Sequence, residues 1–314
     1  MFRISSEQKI YHIGEIRVGG QPGENPPVLI GSMFHKGDRL IQGRKEGRFD
    51  REGALALLRK QGELSKHTGI PAMIDLVANS GEEFRAYIDF VAENTDAPLA
   101  IDAWKMEPKL SAARYAREQG LLNRLLYNSL TPWAEDLTRE VESLKEIGVK
   151  HVVLVAFDME DKMPSGRLKS LGKLLKALEG LPLESLWVDT STMNLPAQGF
   201  CGLANREIKT RYGLPTGSAP ANGTYVWKKA REIWGPPGFA AVDASLHALS
   251  VLLWHDFLFY GPLAAAPRIF PAVAAATSVL STLAYAETGT LPGKEHPFFK
   301  FFADFAAQLG GSHG

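Results

Sequence analysis

Short apolar runs alternate with amphipathic segments along most of the chain. Six runs are each followed by a segment with helical spacing: VLIGS, PAMIDLVAN, PLAIDAW, LLYNSL, HVVLVAFD and LESLWVDTS. The first of these segments, REGALALLRKQGELSKHTG, carries Gly69 where a helix C-cap is expected. Further along, GLPTGSAPAN precedes GTYVWKKAREIWG, and AAVDAS precedes an apolar helix from Leu246. The pattern predicts eight strand–helix units.

Strands that alternate with helices pair in parallel through right-handed crossovers. Eight such units close more readily into a (β/α)₈ TIM barrel than into an open sheet, although a doubly wound sheet remains the alternative. No linker rich in Pro, Gly or Ser divides the sequence. We therefore predict one barrel domain over residues 1–314.

Residues 1–26 predict a β-hairpin and a loop before the barrel. The strands YHI and IRVG flank Gly14-Glu15, and glycine in the first of two loop positions favours a type II′ turn. The following GGQPGENPP leads into a strand, whereas a nucleotide-binding glycine loop opens a helix. The loop is therefore not interpreted as a phosphate site.

Charge and cysteine content narrow the function classes. Lys plus Arg and Asp plus Glu are 35 each in 314 residues, so the formal net charge is zero, and no nucleic-acid partner is expected. The single cysteine, Cys201, excludes an internal disulfide and is expected to be a small buried residue. Without a signal-peptide pattern at the N-terminus, we expect a cytoplasmic protein.

One segment without charge, IFPAVAAATSVLSTLAYA (269–286), approaches the length of a membrane span. It is rich in Ala, Ser and Thr and contains Pro271. These features favour a buried or interface helix, so membrane contact is not expected. An interface with a second copy of the chain is a natural use of so apolar a region.

Polar residues end most of the predicted strands. The first five are spaced by 27, 26, 30 and 31 residues, about one strand–helix unit each, and the seventh strand contributes two more: Asp75, Asp102, Asn128, Asp158, Asp189, Ser218 and Asn222. The C-terminal strand ends of a barrel face one mouth, where active sites of this fold lie. Helix N-capping is the alternative explanation for each residue alone.

Several carboxylates without metal-ligand motifs favour an organic ligand. The eight histidines form no HExxH pattern, no metal is expected, and His247 and His255 are interpreted as structural. A carboxylate can accept two adjacent N–H groups at once, as the 2-amino and ring N–H edge of a pterin presents them. A reduced pterin therefore fits the predicted mouth.

Four segments resemble one family: EQKIYHIGEIRVGGQPGENPPVLIGSMF, VDTSTMNLP, YGLPTGSAPANGTYVWKK and HPFFKFFADFA are similar to the H-subunit family of tetrahydromethanopterin S-methyltransferase. The resemblance implies a pterin-binding (β/α)₈ barrel, usually dimeric, that moves a methyl group between a corrinoid protein and pterin N5. By motif it implies that Asp102, Asn128 and Asp189 hold the pterin and that Asn222 contacts N5. Asp189 and Asn222 are the expected catalytic residues; Asp75, Asp158 and Ser218 are added from their strand positions.

The sequence lacks the Asp-x-His-x-x-Gly signature of a cobalamin-binding domain, so a partner protein is expected to carry the corrinoid. The expected substrates are tetrahydrofolate and methylcobalamin or a related corrinoid. One alternative is a peripheral methyltransferase subunit of a membrane complex that uses tetrahydromethanopterin. A pterin synthase is disfavoured, because GSAPANG has no cation before Lys228 to bind pyrophosphate.

Overall fold

The computed structural model describes residues 2–44 and 47–311. Its strands are β1 (Ile10–Ile13), β2 (Ile16–Gly19), β3 (Val28–Met33), β4 (Ile41–Gly43), β5 (Arg48–Phe49), β6 (Ala72–Val77), β7 (Leu99–Asp102), β8 (Leu125–Leu130), β9 (His151–Val155), β10 (Ser185–Asp189), β11 (Thr216–Ser218) and β12 (Phe257–Pro262). Its α-helices are α1 (Arg51–Thr68), α2 (Gly81–Asn94), α3 (Met106–Glu118), α4 (Leu137–Ile147), α5 (Pro164–Ala177), α6 (Gln198–Tyr212), α7 (Pro220–Tyr225), α8 (Lys229–Leu252), α9 (Ala266–Thr288) and α10 (Pro297–Gly311).

Eight parallel strands form a closed barrel in the order β10-β11-β12-β3-β6-β7-β8-β9. Helices connect successive strands, which confirms the predicted (β/α)₈ TIM barrel and excludes the open sheet. The first crossover also carries the small β4–β5 hairpin. Gly69 caps α1 in the left-handed conformation, with φ of +75°, and its N–H donates to the carbonyl of Ser65.

Side chains alternate between the barrel interior and the helix layer. One interior cluster contains Met73, Ala100, Leu126 and Trp187, all buried. Since successive residues of a strand point to opposite faces, the residues two positions later also face inward. Those residues are Asp75, Asp102, Asn128 and Asp189. The interior is therefore apolar in its lower layers and acidic at the C-terminal mouth.

The predicted N-terminal hairpin is confirmed and closes the opposite end of the barrel. β1 and β2 pair antiparallel around Gly14, whose φ of +52° is the positive angle that a type II′ turn needs at its first central position. Ile13, Ile16 and Val18 join the interior cluster. The Gly14 N–H donates to the carbonyl of Asn123, 3.2 Å away, just before β8.

The eighth strand is not AAVDAS, as the sequence pattern suggested, but β12. AAVDAS lies inside α8, where alanine favours helix, and its Asp243 is buried. Arg268 and Thr224 donate to the Asp243 carboxylate at 2.6–2.8 Å, which makes its burial tolerable. The aromatic run of β12 was hidden inside a longer apolar segment.

The apolar segment before the C-terminus forms α9, which packs against α8. Residues Leu263–Thr288 are long and apolar enough to cross a membrane by length and composition, and half of the most apolar stretch is buried inside the protein. Val279 and Leu283 of α9 and Leu249 of α8 are exposed. The predicted helix is thus partly a core element and partly an apolar outer surface.

Candidate active site

Asp75 lies at the centre of a small polar cluster at the barrel mouth. Its side chain is 2% exposed and accepts a hydrogen bond from Ser32 Oγ at 2.9 Å and from Asn128 Nδ2 at 3.2 Å. These residues come from β3, β6 and β8. The structure therefore brings Asp75 and Asn128 together, and it adds Ser32, which lies near the end of the first barrel strand and was overlooked in the sequence.

Asp102 and Asp189 are half-buried acids of the same inward-facing layer. The carboxylate of Asp189 accepts the Ser191 N–H at 2.6 Å, while that of Asp102 has no hydrogen-bond partner in residues 2–44 and 47–311. Asp102 is in register with Asn128 on the neighbouring strand. Both acids thus have oxygen atoms free to accept hydrogen bonds from a ligand.

Burial raises the pKa of all three carboxyls. Desolvation, with the Asp102 charge second, holds the pKa of Asp75 well above its usual range. Desolvation raises the pKa of Asp102 to about 6 against the opposing charge of Lys109. It raises the pKa of Asp189 to about 6 as well, opposed by the Ser191 N–H and the Arg167 charge and reinforced by Asp102. Because Asp102 influences both of the others, the three acids act as one electrostatic group.

Helix capping does not explain these residues. The side chains that cap α1, α2 and α4 belong to Asp50, Ser80 and Asp136. Asp158, by contrast, accepts the N–H groups of Glu160 and Asp161 and pairs with Lys169. Asp158 therefore stabilises the loop after β9, and the structure does not join it to the acidic cluster.

Ser218 lies in a separate buried polar network. Its hydroxyl is fully buried within hydrogen-bond distance of His255 Nε2, Thr192 Oγ1 and Gln198 Nε2, at 2.9, 2.9 and 3.2 Å. Burial lowers the pKa of His255 to about 4, which favours its neutral form. The network ties β11 to α6 and the end of α8, so the expected direct contact between Ser218 and a ligand has no support from its position.

Asn222 lies on α7, a short helix above the end of β11, and its side chain is exposed. Thr224 in the same helix donates to Asp243 at 2.7 Å, and Tyr225 receives a hydrogen bond from Arg268. The buried Asp243–Arg268 ion pair therefore fixes the helix that carries Asn222. The position is at the mouth but outside the acidic layer.

Three further residues at or behind the mouth were not predicted from the sequence. Trp104, two residues after the end of β7, is 87% exposed, and Lys109 and Arg167 are almost fully buried cations behind the mouth. Lys109 pairs with Glu140 at 3.0 Å and donates to the carbonyl of Ser129. The helical segments that contain these cations read as ordinary solvated faces, so no sequence signal marked them.

Metal chemistry has no arranged ligands in the part of the chain that the structure describes: no group of three His, Cys, Asp or Glu residues could hold an ion there. A cleft of about 180 Å³ lies at the N-terminal end of the barrel, bounded by Glu15, Pro71 and His296. This cleft is remote from the C-terminal ends of the strands, where the acids lie. The acidic mouth is therefore the candidate active site.

Solved structures with the same architecture include dihydropteroate synthases. The Xanthomonas albilineans enzyme with 4-aminobenzoic acid has a TM-score of 0.60 at 15% identity, covering 87% of this chain and 98% of that one. The Yersinia pestis enzyme with a sulfonamide drug has a TM-score of 0.59 at 13% identity, covering 87% and 100%. At such identities the likeness shows the fold alone.

Relatives found by sequence are about 30% identical to this chain, a higher identity than that of the solved structures. The H-subunit of tetrahydromethanopterin S-methyltransferase from Methanothermobacter thermautotrophicus is 33% identical, covering 96% of this chain and 99% of the relative. The corresponding protein of Methanopyrus kandleri is 31% identical, covering 93% and 96%. The H-subunit of a putative mtx methyltransferase from Methanosarcina barkeri is 30% identical, covering 95% and 98%. The family model for the tetrahydromethanopterin S-methyltransferase MtrH subunit matches residues 6–291, and the chain belongs to this family of methyltransferase subunits.

Proposed function

We propose that this chain transfers a methyl group between N5 of a reduced pterin and a corrinoid carried by a partner protein. The observation that carries the proposal is the group of three inward-facing acids, Asp75, Asp102 and Asp189, at the mouth of an MtrH-family barrel. The corrinoid is treated as the second substrate, which supplies or removes the methyl group.

The acids suit the amidine-like edge of a pterin ring. A carboxylate binds two neighbouring N–H donors side by side, and such charge-assisted bonds contribute about 1.5–3 kcal/mol each. Asp102 has both oxygens free of partners in the described ranges, and Asp189 keeps one oxygen beyond its bond to Ser191. Asn128, held by Asp75, can donate or accept at the same ring.

The reaction also moves a proton, because a methyl group on N5 replaces a hydrogen. Demethylation of N5 takes up one proton and methylation releases one. Asp102 and Asp189, each with a pKa raised to about 6 by burial, can hold and exchange that proton near neutral pH. Asn222 does not titrate, so its role is to orient N5 while a carboxyl carries the proton.

The proposed pterin is tetrahydromethanopterin, as in the names of the relatives from Methanothermobacter thermautotrophicus and Methanopyrus kandleri. The tetrahydrofolate expected from the sequence finds no support in those names. The acids would contact the pterin head, which both cofactors share, so the geometry alone does not separate them. The family assignment favours the peripheral-subunit interpretation over the free-standing folate enzyme.

The chain is proposed to work on the cytoplasmic side as one subunit among partners, since the relatives are themselves named as subunits. A second copy is proposed to cover the outer face of α8 and α9. Leu249, Val279 and Leu283 are exposed there, whereas the charges of Asp243 and Arg268 are paired with each other. An apolar face of this kind is typical of homodimer interfaces.

An anaerobic absorbance assay tests the function. Purified protein is mixed with methylcobalamin and either tetrahydromethanopterin or tetrahydrofolate, and the loss of the methylcobalamin band is followed. We expect decay that requires both the protein and tetrahydromethanopterin. Faster decay with tetrahydrofolate would overturn the pterin assignment. No decay with either, even after addition of a corrinoid-carrying partner subunit, would overturn the proposed function.

A further inference from the structure

Arg167 is a buried cation with no carboxylate partner among the described residues. Its side chain is 1% exposed, and no Asp or Glu of those ranges forms an ion pair with it. A buried charge is retained only where hydrogen bonds or a nearby opposite charge stabilise it. The contacts that stabilise the buried charge of Arg167 therefore indicate what this side chain does.

All of its strong hydrogen bonds go to backbone carbonyls. Nε donates to Thr190 O at 2.6 Å and Nη2 to Ser191 O at 3.2 Å, while Nη1 binds Lys162 O and Met163 O. The guanidinium also lies 5.3 Å from the centre of the Phe157 ring. Arg167 thus holds the loop after β10 to the loop before α5.

The clamped loop has an unusual conformation. Ser191 has φ of +58°, a left-handed angle that residues other than glycine rarely adopt. In this conformation its N–H points at Asp189 Oδ1, 2.6 Å away. Arg167 holds the carbonyl groups of Thr190 and Ser191, so it fixes the turn that orients the Asp189 carboxylate.

We propose that Arg167 is a positioning residue of the active site, which locks the Ser191 turn, and with it the Asp189 carboxylate, and places a buried positive charge beside that turn. The inference rests on the proposed function, because it assigns the ionised Asp189 to the binding of a pterin edge. The positive charge of Arg167 also opposes the effect of burial on the pKa of Asp189. Arg167 acts through Asp189 and does not contact the substrate itself.

The test separates charge from geometry with two variants, R167M and R167K. Asp189 is titrated in protein that carries ¹³C-labelled aspartate carboxyls, without pterin, and its signal is assigned by its absence in D189N. We expect R167M to move the Asp189 midpoint up by about one pH unit, because an opposite charge is lost. R167K keeps the charge, so its midpoint should stay near that of the wild type.

Pterin binding gives the second readout. A single ammonium cannot hold both carbonyls as the guanidinium does, so R167K should bind tetrahydromethanopterin about tenfold more weakly. R167M should bind tetrahydromethanopterin more weakly still. As the pH is lowered, its affinity should begin to fall at a higher pH than that of the wild type, because Asp189 becomes protonated earlier. Wild-type titration in R167M, or wild-type affinity in R167K, would overturn the inference; if R167M does not fold, R167K alone decides.

Arg124 provides a matched control. It also donates to two backbone carbonyls, those of Thr95 and Ala97, but at the N-terminal end of the barrel. R124M should leave the Asp189 titration unchanged; an equal shift there would mean general loosening and contradict the proposal. Because the titration needs no pterin, a failure of the inference is distinguishable from a failure to bind the pterin at all.

Discussion

The two ends of the barrel differ in what they bury: the N-terminal end is closed by apolar side chains, and the C-terminal end holds carboxylic acids. At the N-terminal end, Ile13, Ile16 and Val18 of the hairpin cover an apolar interior. At the C-terminal end, the buried Asp75 and the half-buried Asp189 each lie two residues beyond an apolar interior residue of the same strand, and desolvation raises their pKa values. One end supplies stability, and the other holds polar groups in an unfavourable environment that suits catalysis.

The largest effect is expected at the sealed end. Ile13 is 1% exposed, and I13A should lower the free energy of unfolding by about 2–5 kcal/mol through lost burial and a cavity. Urea unfolding measures this change. Ile10 on the same hairpin is 36% exposed, so I10A should change stability by less than about 1 kcal/mol. Weaker pterin binding by folded I13A would show that the two ends are coupled.

At the mouth the corresponding change should affect binding. D189A should weaken pterin binding by about ten- to a hundredfold, since it removes one or two charge-assisted hydrogen bonds. Titration calorimetry with tetrahydromethanopterin measures the affinity. D158A is the comparison, because the Asp158 carboxylate is engaged by loop N–H groups. Unchanged affinity in D189A would remove Asp189 from the site, and an equal loss in D158A would add Asp158 to it.

The sequence was informative where a local pattern determines the structure. Short apolar runs that alternate with segments of helical spacing predict seven of the barrel strands, and the recurrence of polar strand ends predicts Asp75, Asp102, Asn128 and Asp189 as one layer. The roles of these residues in binding and catalysis stay predictions.

The sequence was misleading where a distant partner decides. The AAVDAS segment looked like another strand before a helix, but it lies inside α8, where its Asp243 pairs with Arg268 of α9, 25 residues away. Arg167 is the converse case, because its partners are backbone carbonyls of a loop that only the folded barrel brings close. Ser218 also matched the strand-end pattern; its hydroxyl lies in the buried network around His255, and its role in ligand binding stays a prediction.

The ionised form of Asp102, which is proposed to bind the pterin, should lower the stability of the folded protein. Its pKa is raised from 3.8 to about 6 by burial, so the folded state binds a proton more tightly than the unfolded state. The protein therefore loses stability as pH rises from about 4 through about 6. D102N removes that loss and should be more stable at pH 7 by on the order of 1–3 kcal/mol.

Urea unfolding across pH checks the sign. The stability difference between D102N and the wild type should be near zero below pH 4 and reach its full value above about pH 6. Asp158 should behave in the opposite way, because loop N–H groups lower its pKa. The stability that its ionised form supplies is present at neutral pH and is lost as pH falls. A difference for D102N that does not vary with pH would contradict the titration of Asp102.

The smallest effect, and the sharpest test of how the mouth works, concerns Asn222. N222A should lower kcat about tenfold, while the pterin dissociation constant changes less than about twofold, because an orienting amide acts mainly in the transition state. V226A, an exposed neighbour one turn further on, should change neither. Equal losses of turnover and affinity would make Asn222 a binding residue. An amide does not titrate, so the loss in kcat should be the same from pH 5 to pH 8. If the loss disappears at low pH, where Asp102 and Asp189 are protonated, Asn222 assists the proton transfer to N5 as well as orienting it.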